Sequence, residues 1–172
     1  GYDSLGSNTT GNNNVAVGDF CLSANTTASN NVAIGHATLG SNTTGSPNTA
    51  VGYQALYSNT TGGYNSAFGA NALYDVTTGS INTAIGYNTG RGITTGNYNT
   101  IIGAQVTGLS AGLSNTVIIA DGQGNQRLYI DAAGNAGKYA VDVAGGCTTV
   151  ANGGTVDFPN ASGMLIVNIW TT

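Results

Sequence analysis

The chain has 172 residues, a net charge of −4 and only three basic residues, Arg91, Arg127 and Lys138. So little positive charge excludes a phosphate-neutralising nucleic-acid surface. The longest apolar stretch, Met164 to Trp170, is broken by Asn168 and is too short to insert across a bilayer. Low charge with many polar residues suits disorder in general, but here the apolar positions recur in register, so each has a defined neighbour. The chain starts at Gly1, in the position that closes a truncated earlier repeat, so a piece of a longer protein is expected, with any export signal lying outside it.

From the first residue the chain repeats. Asn14, Asn31, Asn48, Asn65, Asn82 and Asn99 are each 17 residues from the next, and each opens one five-residue phrase, NVAVG, NVAIG, NTAVG, NSAFG, NTAIG or NTIIG. A fixed short period marks a stacked architecture whose units cannot bury their apolar faces alone. When each unit is numbered from its leading Gly (Gly1, Gly18, Gly35, Gly52, Gly69, Gly86), two large apolar columns appear. The fifth holds Leu5, Leu22, Leu39, Leu56 and Leu73 before lapsing to Gly90; the seventeenth holds Val17, Ile34, Val51, Phe68, Ile85 and Ile102. Between them run the Asn-Thr-Thr-Gly segments that start at Asn8, Asn25, Asn42 and Asn59.

Two large apolar residues per unit do not make the stripe of an amphipathic helix. They suit two short strands joined by turns, each with one inward apolar residue. Within the phrase, Val15 and Val17 point one way and Ala16 the other, as do Val32 and Ile34 against Ala33. On this reading the large residues fill the coil interior. Ala16, Ala33, Ala50, Ala67 and Ala84 then form a strip of methyl groups on the opposite face, suited to close packing by another chain. Stacked strands rise about 4.8 Å per coil, so six coils make a rod segment roughly 29 Å long. The Asn14 to Asn99 column is expected to hydrogen-bond along the stack as an amide ladder, and the phrase-closing Gly to allow positive φ.

After the array, Ile101 replaces the Ala, and the next Asn-Thr phrase, at Asn115, arrives after 16 residues instead of 17. That predicts termination of the array, with residues 1–113 as shaft. Residues 114–137 read as a hairpin connector: strand Thr116 to Asp121, turn Gly122 to Asn125, strand Gln126 to Asp131, then a second turn at Ala132 to Asn135. Residues 138–172 read as short strands of a small β domain, with Phe158 and Trp170 in its core.

Chemistry is hard to find. Hydrolysis of a sugar chain needs two facing carboxylates, yet there is no Glu, and Asp3, Asp19 and Asp75 fall in three different columns. Asp121 and Asp131 read as turn-flanking residues. His36 has no Cys or carboxylate at ligand spacing, so no zinc or nucleophile constellation is expected; no catalytic residue, metal or cofactor is predicted. Cys21 sits in a column of small residues and reads as a buried filler, without a disulfide to Cys147. Asn8, Asn25, Asn42, Asn59 and Asn160 match the glycan-acceptor pattern, but Asn and Thr that cap their own backbone explain the array copies more simply. Paired Thr residues point to opposite faces, which does not suit an ice-matching plane. The tyrosines Tyr53, Tyr57, Tyr74 and Tyr87 are the candidates for surface contact with sugar rings, or for packing on neighbouring coils.

The stretch Asn48 to Gly62, NTAVGYQALYSNTTG, resembles repeats of bacteriophage tail-fibre proteins. Asn30-Asn31-Val32-Ala33-Ile34-Gly35 is similar to the Asn-x-Val-Ala-Ile-Gly motif of trimeric autotransporter adhesin heads. The resemblance covers roughly residues 1–113, and Asn115 to Gly137 resembles a hairpin that often follows in phage fibres. It implies an all-β chain, a left-handed parallel β-roll or β-solenoid assembled as a homotrimer, acting as a rigid spacer in a virion tail fibre or related injection device. Other fibre or tail proteins, and a host cell-surface polysaccharide or protein receptor, are the implied partners. The alternatives are an adhesin head on a bacterial surface that binds matrix or glycans, and a tailspike polysaccharide hydrolase. The unit here is longer than the usual adhesin head repeat, and no heptad stalk or membrane anchor is visible in the sequence.

Overall fold

The computed structural model describes residues 1–137, so expectations about 138–172, including Cys147, Asn160, Phe158 and Trp170, lie outside the described residues. The described chain is all-β, a solenoid without helices. Nine strands form one sheet in chain order: β1 (Val15–Val17), β2 (Val32–Ile34), β3 (Thr49–Val51), β4 (Ser66–Phe68), β5 (Thr83–Ile85), β6 (Thr100–Ile102), β7 (Val117–Ala120), β8 (Gln126–Ile130) and β9 (Ala136–Gly137). Strands β1 to β7 pair in parallel with like columns opposed, as Ala33 with Ala50 and Val51 with Phe68. β8 and β9 return antiparallel through the expected hairpin and second turn.

Each coil contains one strand, not the two expected. The half that carries the leucines is built from turns, because its third and fifth columns are left-handed: Leu22, Leu39, Leu56 and Leu73 have φ of 50°, 52°, 51° and 51°. A leucine there costs about 1–2 kcal/mol of backbone strain, offset by about 1.5–3 kcal/mol from full burial of its side chain. All four are completely buried. The turns are still hydrogen-bonded coil to coil, through Leu22 N–H to Thr38 C=O at 3.1 Å, Leu39 N–H to Ala55 C=O at 3.0 Å and their successors. Both walls of the solenoid therefore propagate along the axis.

The facing of the phrase strand is the reverse of the expectation. Ala33, Ala50, Ala67 and Ala84 are wholly buried in the core with the leucines, and Ala16 packs against it from the first coil. Val17, Ile34, Phe68, Ile85 and Ile102 point outward. The alanine strip is therefore not a face open to another chain. The reason is cross-section: opposite each buried leucine the middle position of a three-residue strand has room for a methyl, and a Val or Ile at that position would overpack the coil. The chain demonstrates this itself. Where the fifth column shrinks to Gly90, the sixteenth grows to Ile101, and a Cβ placed on Gly90 would lie 3.5 Å from Ile101 Cδ1. In the following coil the fifth-column residue, Thr107, is turned out to solvent, and Ile118 again fills the sixteenth position, fully buried.

The array also keeps its register past β6. Thr100 pairs with Val117 and Ile101 with Ile118, still 17 residues apart. Thr116 occupies the Asn column, and Asn115 is the left-handed residue before it at φ 55°. The column step is therefore 17 residues here as well, with Thr116 N–H on Asn99 Oδ1 at 3.2 Å. β7 is thus both the last parallel strand of the stack and the first strand of the hairpin.

Candidate functional site

Two asparagine columns hold the coils together from within. In the expected column, each side-chain oxygen accepts from the backbone of the next coil, as Asn14 Oδ1 from Asn31 N–H at 3.0 Å and Asn48 Oδ1 from Asn65 N–H at 3.0 Å. Each amide donates to a turn carbonyl, as Asn48 Nδ2 to Gly62 C=O at 2.8 Å. Direct amide-to-amide contact in this column occurs only from Asn82 to Asn65 (3.2 Å) and from Asn99 to Asn82 (2.9 Å). The continuous amide ladder lies instead in the eighth column, where Asn25 Nδ2 donates to Asn8 Oδ1 (2.7 Å), Asn42 to Asn25 (3.2 Å) and Asn59 to Asn42 (2.7 Å). Asn25, Asn42 and Asn59 are completely buried, which removes them as glycan acceptors. Val76 and Ile93 end the ladder, leaving Asn59 Oδ1 buried without a partner.

Among the described residues, neither the Cys21 thiol nor the His36 imidazole sits among groups that would activate it. Cys21 is buried, burial pushes its thiol above the usual range, and its Sγ donates to Gly35 C=O at 2.6 Å. His36 is exposed and stacked on Tyr53. Among the described residues no three His, Cys, Asp or Glu side chains gather as metal ligands, and no helix is long and apolar enough to cross a membrane.

Three carboxylates, Asp75, Asp121 and Asp131, are committed to backbone and side-chain donors. Asp121 and Asp131 each cap their own turn, through the side chain and backbone of Asn125 and Asn135 respectively, and do not pair across the hairpin. Donation from the Asn side chain first, with backbone N–H groups behind it, holds both carboxyls below the ordinary carboxylate range. Asp75 is held bidentately by Arg91, at 2.7 Å to Nε and 3.2 Å to Nη2, and accepts Gly92 N–H at 2.9 Å. Partial burial disfavours its charge, but the Arg91 and Gly92 bonds and the guanidinium charge outweigh that, so its pKa is lowered.

The aromatic candidates divide into two groups. Tyr57 and Tyr74 stack on each other at 5.2 Å, with the Arg91 guanidinium 4.5 Å above Tyr74, and all three are half-buried. Their faces are covered by one another, so they brace coils and offer no platform. Tyr53 and Tyr87 stand out from the surface at 51% and 54% exposure.

The largest outward feature is one that the sequence reading placed inside. Val17, Ile34, Phe68, Ile85, Ile102 and Ile119 are between 39% and 55% exposed and stand one coil above another on consecutive strands, with half-buried Val51 in line. The stripe exposes on the order of 500 Å² of apolar surface, the size of the largest patches on ordinary monomers. The Leu–Ala to Gly–Ile exchange was the sequence signal for it, since compensating sizes in two columns mean that those two share the interior. No protein-family profile, curated protein or solved structure matches the chain.

Proposed function

We propose that the chain is a rigid shaft segment of a homotrimeric fibre, a spacer of a phage tail fibre or related injection-device fibre that carries a host-recognition element. The observation that carries this reading is the unbroken outward apolar stripe on a solenoid whose axial register never slips. A straight apolar line at constant coil spacing matches another copy of itself at every level, and three copies around a parallel axis bury it. The stripe replaces the buried alanines as the inter-chain face. Rigidity follows from the double asparagine columns and from turns bonded coil to coil.

The second reading, a bacterial surface adhesin head that binds glycans along its flank, is favoured by the exposure of Tyr53 and Tyr87. Polysaccharide hydrolysis is disfavoured, because Asp75, Asp121 and Asp131 are engaged by donors that favour their ionised form, which suits none of these three to donate a proton. Native mass determination tests the assembly. A trimer that falls to monomer in Ile85→Glu, with the variant still folded, supports the shaft reading. A wild-type monomer at tens of micromolar refutes it.

A further inference from the structure

The aromatic flank is interrupted by one coil. Tyr2, Phe20, His36 and Tyr53 form a continuous pile of rings with centroid steps of 5.4, 5.8 and 5.5 Å. Tyr2, His36 and Tyr53 share the second column, and Phe20 of the third column spans the coil that has Asp19 there; the next coil supplies Ala70 and Asn71 in these two columns, and the coil after it supplies Tyr87. The Tyr53 ring lies within 15° of parallel to His36. One of its faces is therefore covered by the imidazole, and the coil on its other side has only the small Ala70 in that column. Two coil rises, roughly 10 Å, separate Tyr53 from Tyr87. Stacked rings sit about 4.5–7 Å apart, so the span is too wide for the two tyrosines to touch and right for one ring inserted between them.

We propose that Tyr53, Ala70 and Tyr87 form a slot for a single pyranose ring of a neutral polysaccharide. The two phenol rings take the C–H faces of the sugar, and the Ala70 methyl is the floor. The neighbouring column places the carboxamides of Gln54, Asn71 and Asn88 alongside; Asn71 Oδ1 is itself buried and Asn88 Oδ1 accepts from Arg91 Nη1 at 3.0 Å, which leaves the half-buried Gln54 carboxamide for the rim of the slot. A sugar has hydroxyls to offer the Gln54 carboxamide, whereas an inserted aromatic side chain has few or none. Charged sugars are disfavoured because the nearby cation, Arg91, is already occupied by Asp75 and Asn88. The slot is complete on one chain, so it stands apart from the trimer reading.

Saturation-transfer NMR on the full chain with cellotetraose, maltotetraose and chitotetraose tests the slot. At least one of these sugars should bind the wild type, and Ala70→Tyr, which fills the slot and completes the pile of rings, should abolish the transfer. Tyr53→Ala and Tyr87→Ala should each weaken binding roughly tenfold, while Tyr64→Ala, an exposed tyrosine in another column, should bind as the wild type does. Circular dichroism and native mass of each variant separate loss of the slot from loss of the fold or assembly. Unchanged binding in Ala70→Tyr overturns the proposal, as does absence of binding to all three sugars. So does a lowered oligomeric state in Ala70→Tyr, which would assign the slot to a chain-to-chain contact.

Discussion

The same substitution made twice in one column should have two different effects. Asn59→Val removes the last amide of the buried ladder; its bonds to Asn42 Oδ1 (2.7 Å) and Gly62 C=O (3.0 Å) are lost. Gly62 C=O keeps Asn48 Nδ2, and the partnerless acceptor moves from Asn59 to Asn42, so the number of orphaned acceptors is unchanged. At about 1 kcal/mol net per hydrogen bond, the loss is about 2 kcal/mol. Asn42→Val cuts the ladder in its middle. It loses three bonds, to Asn25 Oδ1, to Gly45 C=O and from Asn59 Nδ2, and strands Asn25 Oδ1 while Asn59 Oδ1 stays unpaired. The extra orphan adds about 1–3 kcal/mol, for a total of about 4–6 kcal/mol. Both variants place a β-branched residue like Val76 in the same column, which controls for shape. Equilibrium denaturation at one fixed protein concentration reads the difference. Equal midpoints for Asn42→Val and Asn59→Val would show that the ladder is incidental to stability.

Three other expectations follow from single contacts. Gly90→Leu should destabilise by overpacking, since its Cβ would sit 2.7 Å from Leu73 Cδ2, and Ile101→Ala by leaving a cavity; the double variant restores the Leu–Ala pairing of the earlier coils, and a double-mutant cycle should return a coupling above about 1 kcal/mol in its favour. The Asp75 pKa is lowered on folding, so its contribution is fully present above the ordinary carboxylate value of 3.8 and is lost as pH falls below it; thermal melts should show the gap between wild type and Asp75→Asn closing over that range, and a constant gap would argue against the Arg91 pair. Ala50→Glu places a charge in the sealed interior and should unfold the coil itself, seen as lost circular dichroism; a folded variant with a changed oligomeric state would return the alanines to an inter-chain role.

The period, the parallel stacking, the hairpin and the buried leucines were legible because a strict repeat aligns its own columns. The facing of the strand was not, because hydrophobic size alone assigns Val17 and Ile34 to the interior. A narrow coil inverts that rule: Leu39 and Ala50 fill it, and the larger residues are left outside. The second strand was over-read because apolar spacing says nothing of φ, and a leucine in a left-handed turn carries no local mark of it. Register past Ile101 was misread because Asn115 imitates Asn99, whereas the hydrogen bonds place Thr116 there, its N–H on Asn99 Oδ1 at 3.2 Å. The amide ladder was hidden in residues that also satisfy turn chemistry. For the candidate surfaces, the sequence marked Tyr53 and Tyr87 as possible contacts, but separating them from Tyr57 and Tyr74 needed the ring geometry.

Methyl-resolved nuclear Overhauser contacts in a mixture of differently labelled chains measure both the stacking and the inside-out strand. Within one chain, the Ala33, Ala50, Ala67 and Ala84 methyls should touch in sequence and touch the leucine methyls, while contacts between chains should join Ile34, Val51, Ile85 and Ile102 to their counterparts. Alanine methyls that report to a second chain, or that fail to report to one another, would contradict the account.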